Sequence, residues 1–171
     1  MIIDAHAHIT DHLHGLTRRG ETQSLSYGKV RHGDEESRLT PPLGPHTSFP
    51  PELLLEYMDW IGIEKTVLMQ GSTYGDSNEY LWKAVKRWPD RFTAAAFMDP
   101  CSKNAKEVFR QATEEYGFQV LKFEMSEIAG FTGVYPELRL DSEEMLWVWE
   151  ETSQLDMVVT LDLGSIGSLS Y

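Results

Sequence analysis

Ile2-Ile3-Asp4-Ala5-His6-Ala7-His8-Ile9 carries ionisable groups only at every second position. An extended strand sends successive side chains to opposite faces, so Asp4, His6 and His8 share one face and Ile3, Ala5, Ala7 and Ile9 the other. Two neutral imidazoles two residues apart on a strand can reach one metal ion. The apolar positions predict a strand buried on both sides, since a solvated edge strand more often sets Lys, Thr or Glu between such histidines. The same alternation also describes an ordinary half-solvated strand with two surface histidines, because His-x-His is a short pattern. The rest of the chain decides between the two.

Behind this stretch, helices and strands alternate. Residues 51–61 form a helix, with Pro51-Glu52 in the first turn, Leu54, Leu55, Met58 and Ile61 on one side and Gly62 as terminator. Residues 66–70 are a strand. Residues 78–88 are a helix ahead of Pro89, with Leu81, Ala84, Val85 and Trp88 on one side. Strands at 92–98, 119–125 and 157–164 and helices at 104–116 and 142–154 continue the pattern. Trp82, Trp147 and Trp149 fall at helical spacing and are expected to pack on strands, not to stack on a ligand. Such alternation argues for parallel strands joined by helical crossovers, in either a doubly wound sheet or a (β/α) barrel. No glycine-rich phosphate turn follows the first strand. Chemistry at the C-terminal end of strand 1 itself favours the barrel.

Residues 10–50 show no sustained period and end in Thr40-Pro41-Pro42-Leu43-Gly44-Pro45. They are expected to be a long loop folded over the pocket mouth, with His12, His14, His32 and His46 solvated or facing substrate. The whole chain, 1–171, reads as a single domain: 171 residues at 41% hydrophobic support one substantial core. Lys and Arg number 15 against 27 Asp and Glu, a formal net charge of -12. Nucleic acid and anionic membranes are therefore unexpected partners. The single cysteine, Cys101, excludes an internal disulfide framework. No signal peptide and no membrane span is evident, so the expectation is a soluble, cytoplasmic protein.

Ile3-Asp4-Ala5-His6-Ala7-His8, with the alternating strands behind it, resembles the amidohydrolase-related branch of the amidohydrolase superfamily, metal-dependent hydrolases and decarboxylases on a TIM barrel. Arg91-Phe92, Asp99-Pro100 and Gly117-Phe118-Gln119-Val120-Leu121-Lys122-Phe123 support the likeness. It implies that His6 and His8 bind a divalent metal, zinc first and manganese second, at the barrel mouth. Such a metal would lower the pKa of a bound water or polarise a substrate carbonyl. Asp4 would either orient a histidine or satisfy backbone groups at the barrel floor.

The likeness also implies a histidine on strand 5 and an aspartate on strand 8. Strand 5 reads Val159-Thr160-Leu161-Asp162-Leu163-Gly164, so Asp162 stands where the histidine is expected. A buried carboxylate needs a metal, a cation or several donors, so Asp162 is a candidate site residue; the competing reading is a cap on the next helix. By parity Lys122 and Glu124 of strand 4 also point inward, to contact substrate or metal or to form an internal ion pair.

A full barrel of this kind takes on the order of 250 residues, and the sequence stops at Ser168-Leu169-Ser170-Tyr171, after strand 5. The fold class expected is α/β of TIM-barrel type with about five of eight strand–helix units. The expected status is the N-terminal portion of a longer enzyme, or a truncated product that associates with further copies or is inactive. The expected function is metal-dependent hydrolysis of a C–N, C–O or lactone bond in a small organic substrate. Alternatives are non-oxidative decarboxylation, a metal-free lactonase, and a non-catalytic metal- or ligand-binding paralogue.

Overall fold

The computed structural model describes residues 1–163. Strand β1 (Ile3–Ala7) leads into an antiparallel excursion of β2 (Leu16–Thr17), β3 (Gly20–Ser24), β4 (Lys29–His32) and β5 (Glu35–Arg38). Then come α1 (Pro51–Ile61), β6 (Lys65–Leu68), α2 (Asn78–Arg87), β7 (Phe92–Ala96) and α3 (Ala105–Arg110). The described chain ends with β8 (Val120–Glu124), a short α4 (Phe131–Val134), α5 (Glu143–Gln154) and β9 (Val158–Asp162).

The main sheet has five parallel strands in the order β1-β6-β7-β8-β9. They stand in the order in which the chain makes them, with helix over each crossover. A doubly wound sheet reverses its strand order at a switch point. No reversal occurs here, and the sheet is half of a (β/α) barrel with its helices outside.

Local chemistry explains the elements. Helix α1 starts on Pro51 and stops at Gly62, whose φ of 81° is left-handed and whose N–H caps the Met58 carbonyl. Leu54 and Met58 are its buried face. Leu81 and Ala84 of α2 and Met145, Val148 and Thr152 of α5 are the corresponding stripes. They cover the outward residues of the sheet, among them Leu68, Leu121 and Phe123, all fully buried. Of the tryptophans, Trp149 meets Phe123 of β8 edge-on, as expected, whereas Trp82 stacks on Tyr116 and Trp147 meets Phe109 of α3 edge-on, helix against helix.

Three expectations are corrected. Residues 10–50 are not a loop, since β2 to β5 form a second, four-stranded antiparallel sheet. Its strands are short and mostly polar, with Glu, Thr, Ser and Arg prominent, because one face looks into a cavity and not a core. Paired hydrogen bonds between Thr10 and Phe49, at 2.8 and 2.7 Å, close the neck of this excursion. Second, β1 is an edge strand of the described sheet and is not buried on both sides: Ile3 is 50% exposed. Third, the helix placed at 104–116 keeps α-helical form only over α3, then widens into a π-helical turn, Gln111–Glu115. Gly164, placed at the end of strand 5, lies outside the described residues, as do the last residues quoted above.

Asn78, only 3% exposed, ties the first turn of α2 to the end of β7. Its Nδ2 donates to the Phe97 carbonyl at 2.7 Å, and its Oδ1 accepts from the Phe97 N–H at 2.9 Å. Asn78→Ala leaves both Phe97 groups buried without partners and is expected to cost about 2–4 kcal/mol, read from urea unfolding. An unchanged midpoint would mean the clamp contributes nothing.

Candidate functional site

The C-terminal ends of the parallel strands open into a cavity of about 690 Å³. His6 and His8 enter it from β1 and the residue just past its end, Lys122 and Glu124 from β8, and Asp162 from β9. Gly71, Thr73 and Tyr74 come from the segment after β6, and Thr17, Arg19, His32 and Ser37 of the excursion form a roof. A separate cavity of about 370 Å³, lined in part by Phe97, Phe131, Tyr135 and Asp99, has the Ser72 side of the same turn in its wall.

Parity on β8 positions the central pair. Leu121 and Phe123 are fully buried towards the helices, which sends Lys122 and Glu124 to the inner face, where they are 2% and 6% exposed. The register Lys122↔Thr160 and Glu124↔Asp162 brings Asp162 abreast of Glu124. The Lys122 Nζ donates to His6 Nε2 at 3.3 Å and stands 3.7 Å from Glu124 Oε2. Lys122 and Glu124 thus stand at ion-pair distance and line the cavity at once.

The two histidines are held in neutral form. Burial and then the Lys122 charge lower the His6 pKa, with Asp162 and Asp4 opposing. His8 is pushed down to about 4, first by burial and then by His6 and Lys122. A chain of hydrogen bonds orients His8. The amide nitrogen of fully buried Gln70 donates to the Ile9 carbonyl, which turns its Oε1 towards His8 Nδ1 at 3.2 Å. Nδ1 therefore carries the proton and Nε2 keeps its lone pair. Tyr74 stacks on the His8 ring, with centroids 4.9 Å apart and planes 13° from parallel. Asp4 takes the backbone role of its two readings, accepting from the His6 N–H at 3.0 Å.

Glu124 is the least ordinary carboxyl in the cavity. Burial raises its pKa, and the Asp162 carboxyl beside it adds to the rise through repulsion and a hydrogen bond, while a hydrogen bond from Ser126 and then the Lys122 charge oppose it. Among the described residues its Oε1 is buried with no hydrogen-bond partner. Gly71 makes room for it, since a Cβ there would lie 3.3 Å from the Glu124 Cβ.

The described side chains do not fit a resident divalent ion. Among the described residues no group of three or more His, Cys, Asp or Glu side chains could hold one. The expectation of zinc on His6 and His8 meets two imidazoles and, where a third ligand would be wanted, an ammonium already on His6 Nε2. Two unit like charges 4 Å apart repel by about 4 kcal/mol at an effective dielectric near 20, and a dication doubles that.

The structure places His6, His8, Lys122, Glu124 and Asp162 around one cavity, with Gln70, Gly71 and the roof, which the sequence reading did not single out. The signal for Gln70 was a polar residue closing the apolar run Val67-Leu68-Met69. The signals for the roof were the glycines at its turns, Gly20, Gly28 and Gly33, all with positive φ.

Among known proteins, a profile of the family described as Amidohydrolase matches residues 3–168. No curated protein matches the sequence. A probable 2-pyrone-4,6-dicarboxylic acid hydrolase from Acinetobacter baumannii, solved with citric acid bound, superposes with a TM-score of 0.55 at 16% identity, covering 94% of this chain and 48% of its own. A protein described as amidohydrolase II gives a TM-score of 0.59 at 18% identity, covering 94% and 50%. A dihydroxybenzoic acid decarboxylase from Polaromonas sp. JS666, with bound manganese and 2-nitroresorcinol, gives 0.47 at 21%, covering 65% and 37%, too loose a likeness to bear on this site. The chain spans about half the length of the first two. Among the described residues no helix is long and apolar enough to cross a membrane.

His8 gives the metal-free protein a pH-dependent stability. It takes up a proton near pH 4 when folded and near 6.5 when unfolded, so between those values the unfolded chain binds more protons. Its contribution is therefore complete above about pH 6.5, falls as the pH drops, and levels below about 4, with a span of roughly 3 kcal/mol at most. Thermal unfolding from pH 7.5 to 4.5 should show a shallower loss for His8→Asn than for the native chain. Equal slopes would place the His8 proton uptake elsewhere.

Proposed function

The chain belongs to the amidohydrolase family, and from that premise we propose that its cavity serves to hydrolyse a small organic substrate at a C–N, C–O or lactone bond. One observation carries the reading. A buried glutamate, Glu124, holds its proton more tightly than an ordinary carboxyl, presents an unpartnered oxygen and lies against a second carboxyl, Asp162. Two neighbouring carboxyls with different environments are the usual means of dividing acid from base work.

The chemistry then follows from the residues themselves. Attack of water on a carbonyl carbon requires a base to take a proton, donors for the developing oxyanion and an acid for the leaving atom. Asp162 is assigned the first task and Glu124 the last. Lys122 provides positive charge for the oxyanion in a site shielded from bulk water, where such charge is worth most. His6, neutral and hydrogen-bonded to Lys122, holds that ammonium in place. Arg19 and His32 in the roof favour a polar, carboxylated substrate.

The reading is tested on a panel of lactones, esters and amides of small carboxylic acids, with products identified by mass as substrate plus water. Glu124→Gln should lower kcat by about 10²–10⁴-fold with little change in KM, the range for a lost general acid or base. The native profile should lose activity on the alkaline side, at a pH above the ordinary carboxylate range, as Glu124 gives up its proton. Release of carbon dioxide in place of water addition, or full activity in Glu124→Gln, would sink the assignment.

A further inference from the structure

We propose that the Lys122 ammonium is the resident cation of this site, occupying the place of a divalent ion and keeping one out. The inference rests on the reading of the cavity as a hydrolytic site and adds what supplies its positive charge.

An ammonium that is 2% exposed cannot rely on solvent, so its N–H groups must find acceptors within the protein. Two groups stand beside it: His6 Nε2, which accepts a hydrogen bond at 3.3 Å, and Glu124 Oε2, at the ion-pair distance of 3.7 Å. These are a neutral imidazole nitrogen and a carboxyl oxygen, the donor types that divalent metals select. Both are turned onto Lys122. A metal ion bound to His6 Nε2 would have to displace the lysine and leave its buried charge without its hydrogen-bond acceptor. Among the described residues His8 Nε2, with its proton fixed on the other nitrogen by Gln70, is left with the Glu124 and Asp162 carboxyls of the same cavity, and no three of these side chains are placed to hold an ion. Strand geometry makes the arrangement unavoidable: Lys122 cannot turn away from the lumen without Leu121 and Phe123 leaving the core on the opposite face.

The two roles open to Lys122 predict opposite results. If it competes with metal, removing it should create a site; if it assists metal binding, removing it should destroy one. Zinc and manganese binding to the chain stripped of metal is followed by calorimetry and by the ¹⁵N resonances of His6 and His8. The native chain should bind neither metal stoichiometrically at micromolar concentration. Lys122→Met should bind zinc at least tenfold more tightly, and the gain should vanish in Lys122→Met/His6→Ala. Lys122→Arg, which keeps the charge, should stay as weak as the native chain. Stoichiometric zinc on the native chain, or weaker binding in Lys122→Met than in the native chain, would overturn the proposal. Should Lys122→Met not fold, by circular dichroism, the native and Lys122→Arg titrations still decide. None of these readouts needs turnover, so a failure to find a hydrolysed substrate leaves them standing, and a tightly bound metal leaves hydrolysis open.

Discussion

A charge buried without acceptors costs several kcal/mol, and Lys122 answers this constraint by reaching across the mouth of the half-barrel. Its acceptor His6 stands on β1, the first strand of the sheet, while Lys122 stands on β8, the fourth, with β6 and β7 between. Strands that far apart in a flat sheet are separated by roughly three spacings of 4.8 Å each. The lysine and the histidine meet because the sheet curls. The contact is thus a tie between the two flanks of the arc. It fixes the relative position of the groups that the proposed chemistry uses.

Around that tie the other polar groups take their states. Neutral His6 and His8 follow from burial beside a cation, and the raised Glu124 follows from burial beside a second carboxyl. Gln70 holds the His8 proton on the nitrogen away from the lumen. Each is a response to low local dielectric, in which an unpaired polar group is expensive and a paired one is strongly directed.

Most of this was legible in the sequence because strand periodicity is strict. Alternation along Val120-Leu121-Lys122-Phe123-Glu124 leaves only one way to bury Leu121 and Phe123, and that way delivers Lys122 and Glu124 to the lumen. The same rule brought in His6, His8 and Asp162. It failed where a surface is polar on both faces. The excursion at 10–50 has no apolar period, since its inner face lines a cavity and its outer face meets solvent, and only the turn glycines betray its hairpins. Burial of β1 was overread because apolar residues on a strand show what it could cover, not whether a neighbour is there. Gln70 acts through a single amide, and no periodic signal marks such a residue.

The neck between Thr10 and Phe49 has a bearing on how such a protein can change over time. Two backbone hydrogen bonds bring the ends of the excursion together whatever lies between them. The entropy of closing a loop grows only slowly with its length. Insertions, deletions and wholesale replacement between these two residues therefore leave β1 and α1 in register. The roof is a cassette mounted over a separately built floor. New specificities can be sampled there without disturbing the buried charges beneath, so that diversification of ligand and preservation of chemistry fall on separate stretches of one chain.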